Sequence, residues 1–353
     1  MRIHIQLSPE LDVRKTQHLY SLGLTPDPIA YGFHHALNTG YDISFSSSVL
    51  NGPIYQFIRK SIIKIFCLDL LHAIGNWKKI EQADVVWTVT DVEYLGVLLV
   101  LILSNNKNTF VLCNNVWLFD RLTKKPRLYS NLIVRMLVKR ANLLTFHSVA
   151  HQRKAEEFME GANLRTVPFG ISDEAFVVQK PSKGRTRTTT KIFCPGNDKT
   201  RNWDAIHQAF ANNSKFDVVI VCDRLPISYF EKASNFRQVK RPTIDEFKEL
   251  YRSTDFVVVS MYENSYSGIT VALEAAAMGV PIVSTDTGGI RTYFDDDEVK
   301  YVPLASPDAI RDAILNMPID EAYNQAVKAQ SRFIEDNYRC SRMVADYFSL
   351  SVA

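Results

Sequence analysis

Apolar residues along this chain fall into short continuous runs, separated by stretches where they recur at every third or fourth position. In the first half the runs are ADVVWTVT (83–90), NTFVLCNN (108–115) and NLLTFHS (142–148), and the chain opens on a strand-like MRIHIQLSPELD. In the second half they are KIFCPGN (191–197), FDVVIVCD (216–223), DFVVVSM (255–261) and PIVST (281–285). Runs of this length bounded by turn residues predict fully buried strands. The intervening stretches, WDAIHQAF and TIDEFKELYRS among them, have helical periodicity, and a long helical stretch at roughly 320–349 closes the chain. Buried strands alternating with helices predict a parallel sheet covered on both faces.

The alternation breaks once. The last ten residues of VQKPSKGRTRTTT (178–190) hold no aliphatic or aromatic side chain, so the segment predicts a linker or exposed loop. At 353 residues the chain exceeds the size at which one core keeps growing. Two doubly wound α/β domains facing a cleft follow, divided as 1–175 and 176–330, with 331–353 a final helix packing back toward the first domain. No internal repeat or low-complexity tract appears.

Composition narrows the chemistry. The apolar fraction of 46% and charged fraction of 22% suit an ordinary globular protein. Five cysteines without a C-x-x-C pair argue against a disulfide framework or zinc site and for a reducing compartment. The N-terminus lacks the layout of a signal peptide. The longest apolar run, LGVLLVLIL (95–103), is too short for a spanning helix, which needs about 20 residues. A cytoplasmic protein is expected. The net charge of +3 is unevenly shared: residues 1–170 carry 19 Lys/Arg against 13 Asp/Glu, and residues 171–353 carry 22 against 25. Much of the excess lies in IYQFIRKSIIKIF (54–66) and RLTKKPRLYSNLIVRMLVKRA (121–141). Each fits either a core-packed helix with a solvated basic face or a helix lying on an anionic membrane.

Dinucleotide, P-loop, HExxH and GxSxG fingerprints are all missing. Asp295, Asp296 and Asp297 form an acidic run, but the surrounding residues predict a solvent loop rather than a metal site, and no metal is expected. The informative stretch is YSGITVALEAAAMGVPIVSTDTGG (266–289). Residues 270–278 are good helix formers, stopped by Gly279 and Pro281. Small residues at the helix start, Ser267, Gly268 and Thr270, let an anion approach unpaired amides, and phosphate is the usual occupant. Glu274 lies further along the helix among small apolar residues. If buried it needs a polar partner; a ribose diol fits, and a solvated Glu is the plainer alternative. In CPGNDKTRNWDAI (194–206), Lys199 and Arg201 follow Gly196 and could face a phosphate held on the other helix. Together these describe a nucleotide-diphosphate pocket without a metal.

Residues 255–290, with the flanking GNDKTRNWDAI and RTVPFGISDEAF (165–176), resemble the donor-binding segment of the family 4 retaining glycosyltransferases. The resemblance covers roughly 165–300 and is faint over residues 1–80. It implies two Rossmann-like domains of the GT-B type with the C-terminal helix crossing back. The implied activity is sugar transfer from a nucleotide sugar to a saccharide or lipid-linked acceptor, without a divalent metal or other cofactor. It implies that Glu274 holds the nucleotide ribose, that Ser267, Gly268, Ile269 and Thr270 form the diphosphate loop, that Gly196, Asn197 and Tyr266 also line the nucleotide-sugar site, and that Arg201 or Lys199 is the catalytic cation. The family's sugar-contacting Glu is replaced by Tyr266, with Glu263 the nearest acid. The Arg following the glycine is replaced by Asn197, and the first-domain His by Asn114 and Asn115. His147 and Asn115 are candidates on the acceptor or sugar side. The same residues leave open a non-catalytic sugar-nucleotide binder, a GT-B-type epimerase, or an inverting transferase with Asp91 or Asp120 as base. Partners expected are a nucleotide sugar, its acceptor and an anionic inner membrane face, with no nucleic acid.

Overall fold

The computed structural model describes residues 1–48, 52–124, 128–182 and 188–352; residues 125–127 of the second basic stretch and 183–187 of the linker lie outside these. The chain forms two compact units. One comprises Met1–Leu19, Asp27–Pro168 and Cys340–Ala353, and the other Tyr20–Pro26 and Phe169–Arg339.

The first unit runs β1 (Arg2–Gln6), α1 (Val13–Ser21, whose end passes into the second unit), β2 (Asp42–Phe45), α2 (Pro53–Phe66), α3 (Leu70–Gly75), α4 (Trp77–Gln82), β3 (Val85–Thr88), α5 (Asp91–Leu103), β4 (Phe110–Asn115), α6 (Leu118–Lys124), α7 (Leu128–Val138), β5 (Leu143–Phe146), α8 (Val149–Phe158) and β6 (Leu164–Thr166). Its strands form one parallel sheet in the order β2-β1-β3-β4-β5-β6. The apolar run 95–103 forms most of α5 and is largely buried as far as Leu101, packed with Phe119, Leu137 and Phe146, whereas Ile102 and Leu103 at its end are exposed. Among the described residues no helix is long and apolar enough to cross a membrane.

The second unit runs β7 (Thr190–Pro195), α9 (Trp203–Phe210), β8 (Phe216–Val221), α10 (Ile227–Glu231), β9 (Phe236–Val239), α11 (Ile244–Arg252), β10 (Phe256–Val259), α12 (Ile269–Ala277), β11 (Ile282–Thr285), β12 (Lys300–Val302), α13 (Pro307–Leu315) and α14 (Ile319–Glu335). Its parallel sheet has the order β12-β11-β10-β7-β8-β9. From β7 the chain steps outward one way through β8 and β9, and from β10 the other way through β11 and β12. The switch point therefore lies between β7 and β10, and ligands of open parallel sheets bind at the strand carboxyl ends there.

Each run read as a strand forms one. The strands without such a run are β2, β6, β9 and β12, and these are the four sheet edges. An edge strand is covered on fewer sides, so its residues need not be continuously apolar; β9 reads FRQV and β12 KYV. The long final helical stretch is interrupted at 336–339, and its second part, α15 (Cys340–Val352), belongs to the first unit. There Trp87 donates from Nε1 to Ser351 Oγ at 2.8 Å and packs edge-on against Tyr347 and Phe348.

The start of α15 rests on Gly32, whose φ of +70° lies in the left-handed region and whose missing Cβ leaves room for Cys340, with Sγ only 2.8 Å from the ideal Cβ position. Replacing Gly32 with Ala should force α15 off its seat and destabilise the first unit by about 1–3 kcal/mol, the usual range for overpacking. Denaturant unfolding checks this; an unchanged midpoint would mean that the neighbouring backbone yields freely.

Candidate functional site

Helix α12 starts at the carboxyl end of β10, where Gly268 occupies the N-cap with φ +89°. An added Cβ would come within 2.8 Å of Ile290 Cδ1 and 3.0 Å of the Met261 side chain, so the turn is confined to glycine. Glycine offers no side-chain cap, and the first helical bond is Ala272 N–H to the Gly268 carbonyl. The amides of Ile269, Thr270 and Val271 therefore have no partner within the helix. Those of Tyr266 and Ser267 are engaged, donating to Asn264 Oδ1 at 3.1 and 2.7 Å. The available donors of the predicted loop thus sit at its helical end. Gly288 and Gly289 fasten the loop from behind by donating to the carbonyls of Asn264 and Ser267.

The neighbouring turn after β7 carries the cations. Arg201 folds back over Gly196, where any Cβ would collide with Nε, and its side chain is buried. Nε donates to Asp198 Oδ2 at 3.0 Å, whereas Nη1, equally buried, has no acceptor among the described residues. Burial opposes ionisation of Asp198. The Arg201 charge and hydrogen bonds from Thr200 and Ser267 outweigh it and hold the carboxyl below its ordinary pKa. Because Thr200 and Ser267 lie on different loops, Asp198 ties the cation turn to the start of α12. Ser260 Oγ, at the end of β10, is a second buried polar atom without a partner among the described residues. Lys199 and Asn197 are exposed on the same turn, and Asn197 Oδ1 accepts from Cys222 Sγ. Thr270 is exposed and Tyr266 half-buried.

Glu274 is buried inside α12. Tyr251 of α11 donates to its Oε2 at 2.8 Å. Burial raises the carboxyl to about 7, against the smaller pull of this hydrogen bond and of Arg201. Of the two readings of Glu274, a solvated helix position is the one the structure removes. Asp198, Asn264, Tyr251 and Ser260 were missed at the sequence level. Asn264 carries a readable signal in the turn NSYSG, and Tyr251, distant in sequence and on another helix, carries none.

In the first unit the candidate side chains satisfy one another. Burial lowers His147 to about 4, so its ring is neutral. Nδ1 donates to the Val167 carbonyl at 2.9 Å, and Nε2 accepts from Asn114 Nδ2 at 3.0 Å. Asn115 accepts from Tyr94 and donates to the carbonyls of Cys113 and Thr145. Asp91, pushed up to about 6 by burial, accepts the amides of Val116 and Trp117 ahead of α6. Asp120 pairs with Lys154. These contacts hold β4, β5 and the adjoining turns together. In the second unit the acidic run is likewise paired: Asp296 with Arg291, Asp297 with Lys328 and Asp295 with Arg332.

Residues 197–319, about a third of the chain, match the family model described as glycosyl transferases group 1. No protein of curated function matches the sequence. Among solved structures, sucrose-phosphate synthase from Thermosynechococcus elongatus aligns with TM-score 0.75 at 14% identity, over 99% of this chain and 98% of that one. Anabaena HepE in complex with UDP-glucose aligns with TM-score 0.67 at 12% identity over the whole of both chains. The α,α-trehalose 6-phosphate synthase from Burkholderia multivorans aligns with TM-score 0.69 at 11% identity, over 99% and 97%. At these identities the likeness is one of fold, a two-domain GT-B type. With the family match over 197–319 it indicates a glycosyltransferase.

A carboxyl whose pKa is raised in the folded state holds its proton more tightly there than in the unfolded chain. Its contribution to stability is complete below the unfolded pKa and is lost as pH rises through the folded one. For Glu274 that window runs from 4.5 to about 7, which bounds the contribution at ~3 kcal/mol. The stability of the wild type relative to Glu274→Gln should therefore fall between pH 5 and pH 8. Urea unfolding at both pH values tests it; parallel pH dependences would mean that Glu274 titrates normally.

Proposed function

We propose that the chain transfers a sugar, without a metal and with retention of anomeric configuration, from a nucleotide-diphosphate sugar to a saccharide or lipid-linked acceptor. The observation that carries this reading is the buried Arg201 guanidinium with Nη1 unpartnered, tied through Asp198 to the start of α12. A buried donor left without an acceptor is costly, typically about 1–3 kcal/mol and more when charged, and a bound diphosphate oxygen would remove that cost. The amides of Ile269 and Thr270 supply further donors of the same polarity. With Oε2 of Glu274 taken by Tyr251, Oε1 is left for a ribose hydroxyl. Anabaena HepE is described in complex with UDP-glucose, so UDP-glucose is the first donor to try.

In this reading the bond between the sugar's anomeric carbon and the diphosphate oxygen breaks, and the acceptor oxygen bonds to that carbon on the same face. The acceptor's proton passes to the departing diphosphate. Negative charge grows on the leaving group, and Arg201 with the α12 amides stabilises it where it develops. Lys199, exposed beside them, adds a second positive charge near the same phosphates. The family match over 197–319 supports assigning the donor to the second unit. The basic first half supports placing the acceptor at the cytoplasmic face of an anionic membrane.

Nucleotide sugars should raise the thermal midpoint in a panel of UDP-, GDP-, ADP- and CMP-linked donors, since a ligand bound to the folded state stabilises it. Arg201→Ala should lower kcat more than it raises KM, by a factor corresponding to about 2.7–4 kcal/mol in barrier. Raised KM at unchanged kcat would mean that Arg201 binds ground and transition states equally. Transfer should survive EDTA, and NMR of the product should show the donor's anomeric configuration.

A further inference from the structure

Helix α2 is inverted. Ile54, Phe57, Ile58 and Ile65 recur at the spacing that lines one helix face, and that face is turned outward: Ile54 is 75% and Phe57 74% exposed. The one strongly charged side chain turned inward is Arg59, 4% exposed, held by Asp69 at 2.6 Å and Glu10 at 2.8 Å. Ile62 packs on the core of the first unit. A helix that only completes a core would carry its charge outside and its large apolar residues inside.

Helix α7 lies beside α2 and continues the surface. Leu132 and Met136, one turn apart, are 58% and 54% exposed. Exposed basic residues border the apolar side chains: Lys60 and Lys64 on α2, Arg135 on α7 and Lys139 just beyond it. Neither helix contains an acidic residue. The described parts of the two stretches that the sequence left undecided between solvated and membrane-facing helices thus lie side by side, with exposed aliphatic and aromatic side chains and exposed basic ones.

We propose that this surface, with α2 as the inserted element, docks the protein in the plane of an anionic bilayer. Phe57, Ile54, Ile58 and Ile65 enter the boundary between headgroups and acyl chains, and Lys60, Lys64 and Arg135 meet lipid phosphates. An interfacial helix needs this combination, a mostly apolar face with basic residues beside it and no acid on the helix. The charge pattern also selects among occupants. A second copy of the chain placed face to face would set lysines against lysines. The inference deepens the membrane part of the proposed function and requires no transfer activity.

The test is cosedimentation of the full-length protein with vesicles of phosphatidylcholine alone and of equal parts phosphatidylcholine and phosphatidylglycerol. The wild type should bind the anionic vesicles at low salt and be released by high salt. The double variant Ile54→Ser/Phe57→Ser and, separately, Lys60→Gln/Lys64→Gln should each reduce the partition coefficient at least tenfold. All four positions are exposed, so circular dichroism and thermal midpoints should match the wild type. Failure of the wild type to bind, or retention of binding by the Ile54/Phe57 variant, overturns the proposal. So does sedimentation velocity showing a dimer that this variant dissociates, which would assign the face to a second copy. Vesicle binding without any nucleotide-sugar response would leave this inference standing and remove the proposed function instead.

Discussion

A buried guanidinium is stable only where its charge and its donors are met, and Arg201 is met from one side. Asp198 compensates the charge through Nε, Gly196 leaves the space in which the side chain lies flat, and Nη1 faces no acceptor among the described residues. Much of the second unit's local structure serves this arrangement. Asp198 is itself held by Thr200 and by Ser267, so the position of the cation and the start of α12 are set together. Asn264 turns two amides of the intervening loop inward, and Gly288 and Gly289 fix that loop from behind. What the two turns bring together is a set of donors, buried Nη1 of Arg201 and the first amides of α12, that have no partner in the cation turn or within the helix. In the proposed function, these donors would stabilise an anion whose charge increases during the reaction.

The sheet supplies the reason that these parts converge. β7 and β10 are neighbours although 66 residues separate their starts, because the chain reverses its direction of growth between them. The turns that leave the two strands open side by side, one carrying Arg201 and the other Gly268. Glu274 joins the same system from inside its helix through Tyr251. Its pKa is raised by the dry surroundings, which disfavour a buried carboxylate, against the smaller pull of Tyr251 and Arg201.

In the first unit, polar side chains that resemble site residues by type serve the framework. His147, Asn114 and Asn115 bind one another and the carbonyls of adjacent strands and turns, and Asp91 receives the amides ahead of α6. This unit's distinctive feature is on its surface, where α2 presents its greasier side to solvent. Buried Arg59 fixes that orientation, since releasing it would leave Asp69 without its counter-charge in the interior.

The sequence by itself determined the parallel α/β architecture, because buried strands must be continuously apolar and the spacing between them leaves room for helices. It determined α12 and its glycine start in the same way, through helix formers bounded by Gly268 and Gly279. The four edge strands were beyond its reach, since strands such as KYV and FRQV take their structure from a neighbour's hydrogen bonds and not from burial. Equally, 54–66 announced a basic amphipathic helix but not which side it buries; the ion pairs of Arg59 with Asp69 and Glu10 decide that. Tertiary structure alone chose between a solvated and a buried Glu274, by bringing Tyr251 across from another helix, and it alone separated Arg201, folded over Gly196, from exposed Lys199. Residue type and spacing fix what a side chain can do, while its burial and partners depend on distant segments that only the folded chain brings together.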